Sequence, residues 1–409
     1  MARNKNNIKF ARNSLKSRQR RRKILRNRII FVVLILLVLG GAYYGISTYR
    51  THKKNEAAKQ EQLDAQSAKD QKEKDDAKAL EDAKSKEKKD VVLTMAGDFT
   101  LGTDDTFNKQ TSLPAAVSAS GNDYSSLLRN VKKVFEDDDY TLVNLETTFT
   151  NATQKKDKGG SVQFHFKGPA SYANILTSSS IEGVTVANNH IYDYGTQGFN
   201  DTIATLEKNK IDITGEGHKI VTEIKGIKFG FLGYQAWDNS AKTKEKIKND
   251  IDALKKDGVQ VIIPYFHWGI ERDSKPSEYQ IDLAHFAIDS GADMVVGSHP
   301  HVIQSLENYK GKLIAYSLGN FCFGGNSNPS DMRTFILKTK LNFVGDELSN
   351  MEYEVLPATI SSVTNKNDYV PTLATGDKGN SILKYMNGLS PTLDGKINNK
   401  YFELKQNQQ

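Results

Sequence analysis

From residue 91 the chain alternates between two textures. Short runs place apolar, often β-branched residues at consecutive positions: "VVLTMAG", "YTLVNLE", "GVTVANN", "IKFGFLGY", "VQVIIPYFHWG", "ADMVVGSH" and "KLIAYSLGN". Such runs suit strands covered on both faces. Between them, "DYSSLLRNVKKVFEDD", "TQGFNDTIATLEKNK", "KTKEKIKNDIDALKKDG" and "PSEYQIDLAHFAIDSG" read as helices. The alternation predicts a layered α/β domain over residues 91–360. Within it, "TFILKTKLNFVGDELSNMEYEVLPATI" predicts an antiparallel hairpin turning at "GDELSN". Residues 361–409 are polar, show little apolar periodicity, and read as a peripheral or partly disordered C-terminal extension.

The first ninety residues are different. Residues 29–47, "IIFVVLILLVLGGAYYGIS", carry no charge. As a helix rising about 1.5 Å per residue they just cross a hydrocarbon core of about 30 Å. Residues 1–28 hold 12 Lys and Arg and no Asp or Glu. This asymmetry predicts a cytoplasmic basic tail, a single anchor and an extracellular remainder. A cleaved signal peptide fits less well, because Ala42-Tyr43-Tyr44 is a poor cleavage site. Residues 48–90 form a charged stalk, free of Gly and Pro, that reads as helical in part or as a disordered tether.

Charge follows the same division. The net charge is +7, from 56 basic and 49 acidic residues. Without the 12 basic residues of the tail, 44 remain against 49, about −5. An acidic body disfavours nucleic acid as a partner. Cys322 is the single cysteine and lies between Phe321 and Phe323, so it reads as a small buried apolar residue.

The chemistry gathers where the apolar runs end. Asp98 closes the first, and Glu146 follows the second. Asn188-Asn189-His190 end the third, His267 ends the fifth with Glu271 four residues on, and His299-Pro300-His301 follow the sixth. Asn320, with Ser317 near it, ends the last. Strand ends of an open α/β sheet share one crevice, so these side chains are expected to converge. Neutral imidazoles and carboxylates suit Zn, Mn or Fe ions. In an extended backbone His299 and His301 would face one side, serving one metal or two adjacent ones. Lys167 is a candidate anion contact. His52, His218 and His285 read as incidental, and His165 as a surface position on a strand.

The motifs "AGDFTLG", "NLETTFT", "ANNHIYDYG", "FHWGIE", "GSHPHVIQ" and "YSLGNF" resemble, in order and spacing over about residues 91–325, the CapA/PgsA family of poly-gamma-glutamate capsule biosynthesis proteins. That family is similar to the calcineurin-like metallophosphoesterases. The resemblance implies a four-layer β-sandwich flanked by helices around a two-metal centre, here preceded by one transmembrane helix and a stalk. It implies metal ligands at Asp98, Glu146, Asn189, His267, His299 and His301, with Glu146 bridging. It implies catalytic roles for His190 and Glu271, and substrate contacts from Lys167, Asn188, Asp193 and Asn320. Two departures stand out. Thr100 occupies a usual histidine position, and the bridging carboxylate is Glu rather than Asp.

Two divalent ions against Asp98 and Glu146 leave about +2, enough to attract an anion. Three functions follow as expectations. One is a membrane-anchored metal-binding component of poly-gamma-glutamate synthesis or export, working with other subunits of a synthetase complex. Another is an extracellular metallophosphoesterase acting on a cell-envelope phosphate ester. The last is a non-catalytic module that binds the anionic polymer and holds a structural metal.

Overall fold

The computed structural model describes residues 4–405, so residues 1–3 of the basic tail and 406–409 of the C-terminal extension lie outside the described residues. The chain forms two units, up to Ala83 and from Lys84. The first is helix α1 (Asn4–Lys84), which runs unbroken through the basic, apolar and charged segments. Within the stalk, Gln60, Gln66 and Gln71 donate to Asp64, Asp70 and Asp75 one turn on, at 2.8, 2.7 and 2.9 Å. Among the described residues α1 is the one helix long and apolar enough to cross a membrane.

The second unit begins with β1 (Lys88–Thr100), α2 (Leu113–Ala119), α3 (Lys132–Glu136) and β2 (Tyr140–Leu145). The short pair β3 (Thr148–Phe149) and β4 (Lys167–Gly168) follows, then α4 (Ala173–Thr177), β5 (Gly183–Thr185), α5 (Gly195–Lys208) and β6 (Asp212–Thr214). Next come β7 (Ile220–Ile224), β8 (Ile227–Gln235), α6 (Ala241–Lys256), β9 (Val261–His267), α7 (Glu278–Ser290) and β10 (Val295–Ser298). The chain continues through β11 (Leu306–Tyr309), β12 (Lys312–Ala315), β13 (Asn320–Phe323), β14 (Arg333–Val344) and β15 (Glu347–Thr359). It closes with β16 (Thr372–Leu373), α8 (Gly376–Leu389) and β17 (Phe402–Glu403).

Two sheets result. One has the order β16-β15-β14-β1-β2-β5-β6, with β13 beside β1 and β17 beside β15; the other has the order β11-β12-β10-β9-β8-β7. They pack face to face through Val91, Leu93 and Met95 of β1 and Phe229, Phe231, Ile263 and Tyr265 of β8 and β9. The rings of Tyr140 and Phe231 stack at 5.2 Å across this interface. On the outer face of the first sheet, Phe99, Val143 and Val184 meet Ile175 and Leu206 of α4 and α5. On the outer face of the second, Ile262 and Phe266 meet Ile247, Ile251 and Leu283 of α6 and α7. This is the four-layer, helix-flanked sandwich expected of a metallophosphoesterase-like fold. Burial on both faces explains why the strands read as unbroken apolar runs.

Some details differ from the sequence reading. The hairpin turns at Gly345-Asp346 alone, and "ELSN" already belongs to β15. The segment at 123–138 splits into a 3₁₀ turn and the five-residue α3. Residues 361–405, expected to be peripheral, bury Ile382, Met386, Leu393 and Ile397 in the central core. Ile382 and Met386 are spaced i,i+4 on α8, a helix face hidden in a mostly polar segment.

One irregularity bears on chemistry. Strand β1 follows β14 antiparallel as far as Met95, then pairs parallel with β13 at Asp98 opposite Asn320. Register shifts flank Asp98 on both sides. Such a bulge re-aims a side chain. Gly97 makes it possible, since a Cβ there would lie 1.8 Å from the Gly319 carbonyl oxygen.

Candidate metal centre

Parallel strands of both sheets end at a common edge. Asp98 ends the regular part of β1, Glu146 follows β2, and Asn188, Asn189 and His190 follow β5. From the second sheet come His267, the last residue of β9, and His299 and His301 beyond β10. Their ligand atoms form three groups, each within 4.8 Å: Glu146, His267 and His299; Asp98, Glu146 and His301; Glu271, His299 and His301. Asn189 joins the first group, with Oδ1 2.7 Å from His267 Nε2. Glu146 belongs to two groups, at 3.6 Å from His267 and 3.8 Å from His301.

The histidine pair reaches this place by an unexpected route. His299 has φ 95° and His301 φ 59°, so the turn around Pro300 is left-handed on both sides rather than extended. The next loop is tied to it, as Arg272 N donates to the Pro300 carbonyl at 2.8 Å. Glu271 therefore approaches the imidazoles from the solvent side.

The surrounding shell fixes these groups. Asn144, inside β2, donates to Asp98 Oδ1 at 2.8 Å, and its Nδ2 lies 3.2 Å from His267 Nδ1. Asn188 donates to Asn144 Oδ1 and to the Leu145 carbonyl, and accepts from His190 N. Asn320 Oδ1 lies 2.8 Å from His301 Nδ1, which leaves Nε2 to face Glu146. Trp237, 45% exposed, sets its ring 4.8 Å from that of His299.

A neighbouring set centres on His190. Asp193, fully buried, accepts from His190 Nδ1 at 2.7 Å and from Phe166 N at 2.7 Å. Lys158 pairs with the other oxygen of Asp193. Lys158 Nζ also lies 3.1 Å from His190 Nδ1, so the carboxylate and the amine meet at one ring nitrogen, on a residue that lines a cavity of about 470 Å³. Asp193 thus orients His190, and Asn188 and Asn320 brace other site residues. Lys167 does not join them: its amine donates to the Ala152 carbonyl at 2.6 Å and lies over the Tyr194 ring. His165, expected at the surface, is buried with Nε2 2.7 Å from the Lys156 carbonyl.

Electrostatics match the geometry. Burial, then Asp98, pushes the Glu146 carboxyl well above the usual range. Burial, then His299 and His301, depresses His267. Burial and His301 push His299 down to about 3. Burial also opposes charge on His301, but Glu146 and Asp98 outweigh it and raise its pKa to about 10. Burial lowers His190 against the pull of Asp193.

A divalent cation fits the residues present. Both Glu146 oxygens and His299 Nδ1 are buried without a hydrogen-bond partner. Such atoms are costly unless something binds them. The donor set is all nitrogen and oxygen, suited to Mn, Fe or Zn. Thr100 Oγ1 is likewise buried and unpartnered, where the resemblance calls for an imidazole.

Residues 92–325 match the family described as bacterial capsule synthesis protein PGA_cap. The chain is 30% identical over 261 residues to the PGA biosynthesis protein CapA of Bacillus subtilis, covering 58% of this chain and 66% of that one. It is 30% identical over 260 residues to the capsule biosynthesis protein CapA of Bacillus anthracis, covering 58% and 61%. The match therefore spans just under two thirds of these relatives. Among solved structures, a purple acid phosphatase from yellow lupin seeds overlays 70% of this chain and 57% of its own at 12% identity, with a TM-score of 0.35. The family match covers more than half of the chain, and the chain belongs to the bacterial capsule synthesis protein family.

Proposed function

We propose that this chain is a membrane-anchored, extracellular, metal-binding component of poly-gamma-glutamate capsule synthesis or export, acting with other subunits of a synthetase complex. Family membership supports the pathway, and helix α1 supports the anchor. The observation that carries metal binding is Glu146, wholly buried, with neither oxygen hydrogen-bonded, and shared by two ligand groups. Asp98, Glu146 and His301 would hold one ion, and Glu146, Asn189, His267 and His299 a second. Bound ions would supply Lewis acidity and positive charge for an anionic ligand.

A second reading, a metallophosphoesterase, is favoured by the Asp193–His190 pair beside the cavity. Asp193 fixes the imidazole, and Nε2 is placed to exchange a proton with a leaving oxygen. Lys158 neutralises Asp193, which keeps the pair from repelling an anion.

The test is elemental analysis of the full chain purified in detergent, paired with hydrolysis of bis-p-nitrophenyl phosphate. Bound divalent metal that is lost in Glu146→Gln supports the centre. Metal at the level of the buffer blank sinks it. Metal without turnover, together with polymer loss in cells carrying Glu146→Gln, favours the assembly role over the hydrolase.

A further inference from the structure

The cavity beside the centre has a lining that its neighbours do not explain. Its lining takes in His190, His301 and Asn320 of the centre. Its walls carry Phe107, Phe164, Phe166 and Phe323. These aromatics are continuous with the centre: Phe166 lies 4.5 Å from the His190 ring and Phe323 5.2 Å from the His301 ring. Phe107 contacts both Phe164 and Phe166, at 5.4 and 6.2 Å. Uncharged hydrogen-bonding residues complete the lining, among them Asn108, Ser112, Asn326, Ser327 and Ser330.

Charge decides what can enter. Besides its histidines the lining carries Arg272, Glu271 and Asp331 as charged groups. Asp331 is itself paired with Arg333 at 2.7 Å. Bound cation at the imidazoles could serve one anionic group, whereas the rest of the lining offers no row of cations to a chain with a carboxylate on every residue. An aromatic wall with interleaved hydroxyl and amide groups suits a different body. Ring faces pack against C–H surfaces, and neutral donors and acceptors meet hydroxyls. The volume, about 470 Å³, suits a small molecule rather than a polymer.

We infer that this cavity takes the uncharged sugar of a glycosyl phosphate, whose one phosphate group lies at the imidazole end. The inference rests on the metal-centre reading, because the phosphate needs the positive charge of bound cation. The polymer itself is left outside the cavity.

Calorimetric titration of the Mn-loaded full chain in detergent tests this with hexose 1-phosphate, inorganic phosphate and γ-linked triglutamate. The hexose phosphate is expected to bind about tenfold more tightly than inorganic phosphate. Phe164→Ala, at a residue 43% exposed and so safe for folding, is expected to bring the two within about threefold. Asn108→Ala, also exposed, is expected to lower the same ratio. Equal binding of hexose phosphate and phosphate by metal-loaded protein overturns this inference alone. So does tighter binding of triglutamate than of either. A chain that takes up no Mn overturns the metal-centre reading with it, and elemental analysis of the same sample separates the cases.

Discussion

Asn144 Nδ2 lies 2.8 Å from Asp98 Oδ1, and the two residues are wholly buried on adjacent parallel strands. The same amide reaches His267 of the opposite sheet at 3.2 Å. One neutral side chain therefore braces candidate ligands from both sheets. Asn144→Ala would leave Asp98 Oδ1 without its donor and remove one of the two acceptors of the Asn188 amide. Loss of a buried partner costs about 1–3 kcal/mol. Outer-shell partners of metal ligands are worth about 10–100-fold in metal affinity. Competition with a chelator should show that weakening, and urea denaturation should show the lost stability. Unchanged metal affinity would refute the bracing role.

Asp193→Asn tests the orientation of His190. The amide removes the charge that holds Nδ1–H and unpairs Lys158. If the centre turns over phosphodiesters, kcat should fall about 10²-fold while bound metal stays constant. The alkaline limb of the pH–rate profile should also shift to lower pH, because the leaving oxygen needs the protonated ring and an imidazole without its carboxylate protonates less readily. An unaltered profile would make Asp193 a structural residue only.

The joint between the sheets depends on large apolar side chains. Phe231 is fully buried and stacks on Tyr140. Phe231→Ala should destabilise the second unit by about 3–5 kcal/mol, through lost transfer energy and a residual cavity. Guanidinium denaturation should show a lower midpoint with an unchanged slope. A loss below about 1 kcal/mol would mean that the sheets close over the gap.

A pH effect is expected far from the centre. Burial raises Glu182 from 4.5 to about 7 and Asp138 from 3.8 to about 6. Both folded-state pKa values exceed the unfolded ones, so the folded chain holds these protons more tightly. The resulting stability is present in full below the unfolded values and is lost as pH rises through about 6 to 7. Glu182→Gln keeps an acceptor for Thr141 N, which now donates to Glu182 Oε2 at 2.7 Å. The variant should match the parent near pH 4.5 and melt about 2–4 °C higher at pH 8, on the order of 1 kcal/mol after solvent screening. Parallel melting curves at both pH values would contradict the shift.

How much of this was legible in the sequence follows from what each feature leaves behind. Polar ligand types at the ends of apolar runs are visible, and parallel strands bring those ends together. The convergence of Asp98, Glu146, Asn189, His267, His299 and His301 was readable for that reason. Asn144 was not singled out, although a polar residue within the buried run "YTLVNLE" was its signal. Lys158 sits in "KKDKGG", where nothing separates it from solvated lysines. Lys167 misled because residue type was visible and direction was not. The bulge at Asp98 and the left-handed turn depend on Gly319 and Pro300 contacts that no local pattern encodes.

That turn has a consequence for anyone trying to improve this protein. Two imidazoles are held where L-residues resist standing, at about 1–3 kcal/mol each. Glycine at 299 or 301 would relieve that resistance, but at 301 it would take from buried Asp98 and Glu146 the imidazole they face. Backbone strain and buried charge are thus tied together at one turn, and neither can be edited out without disturbing the other.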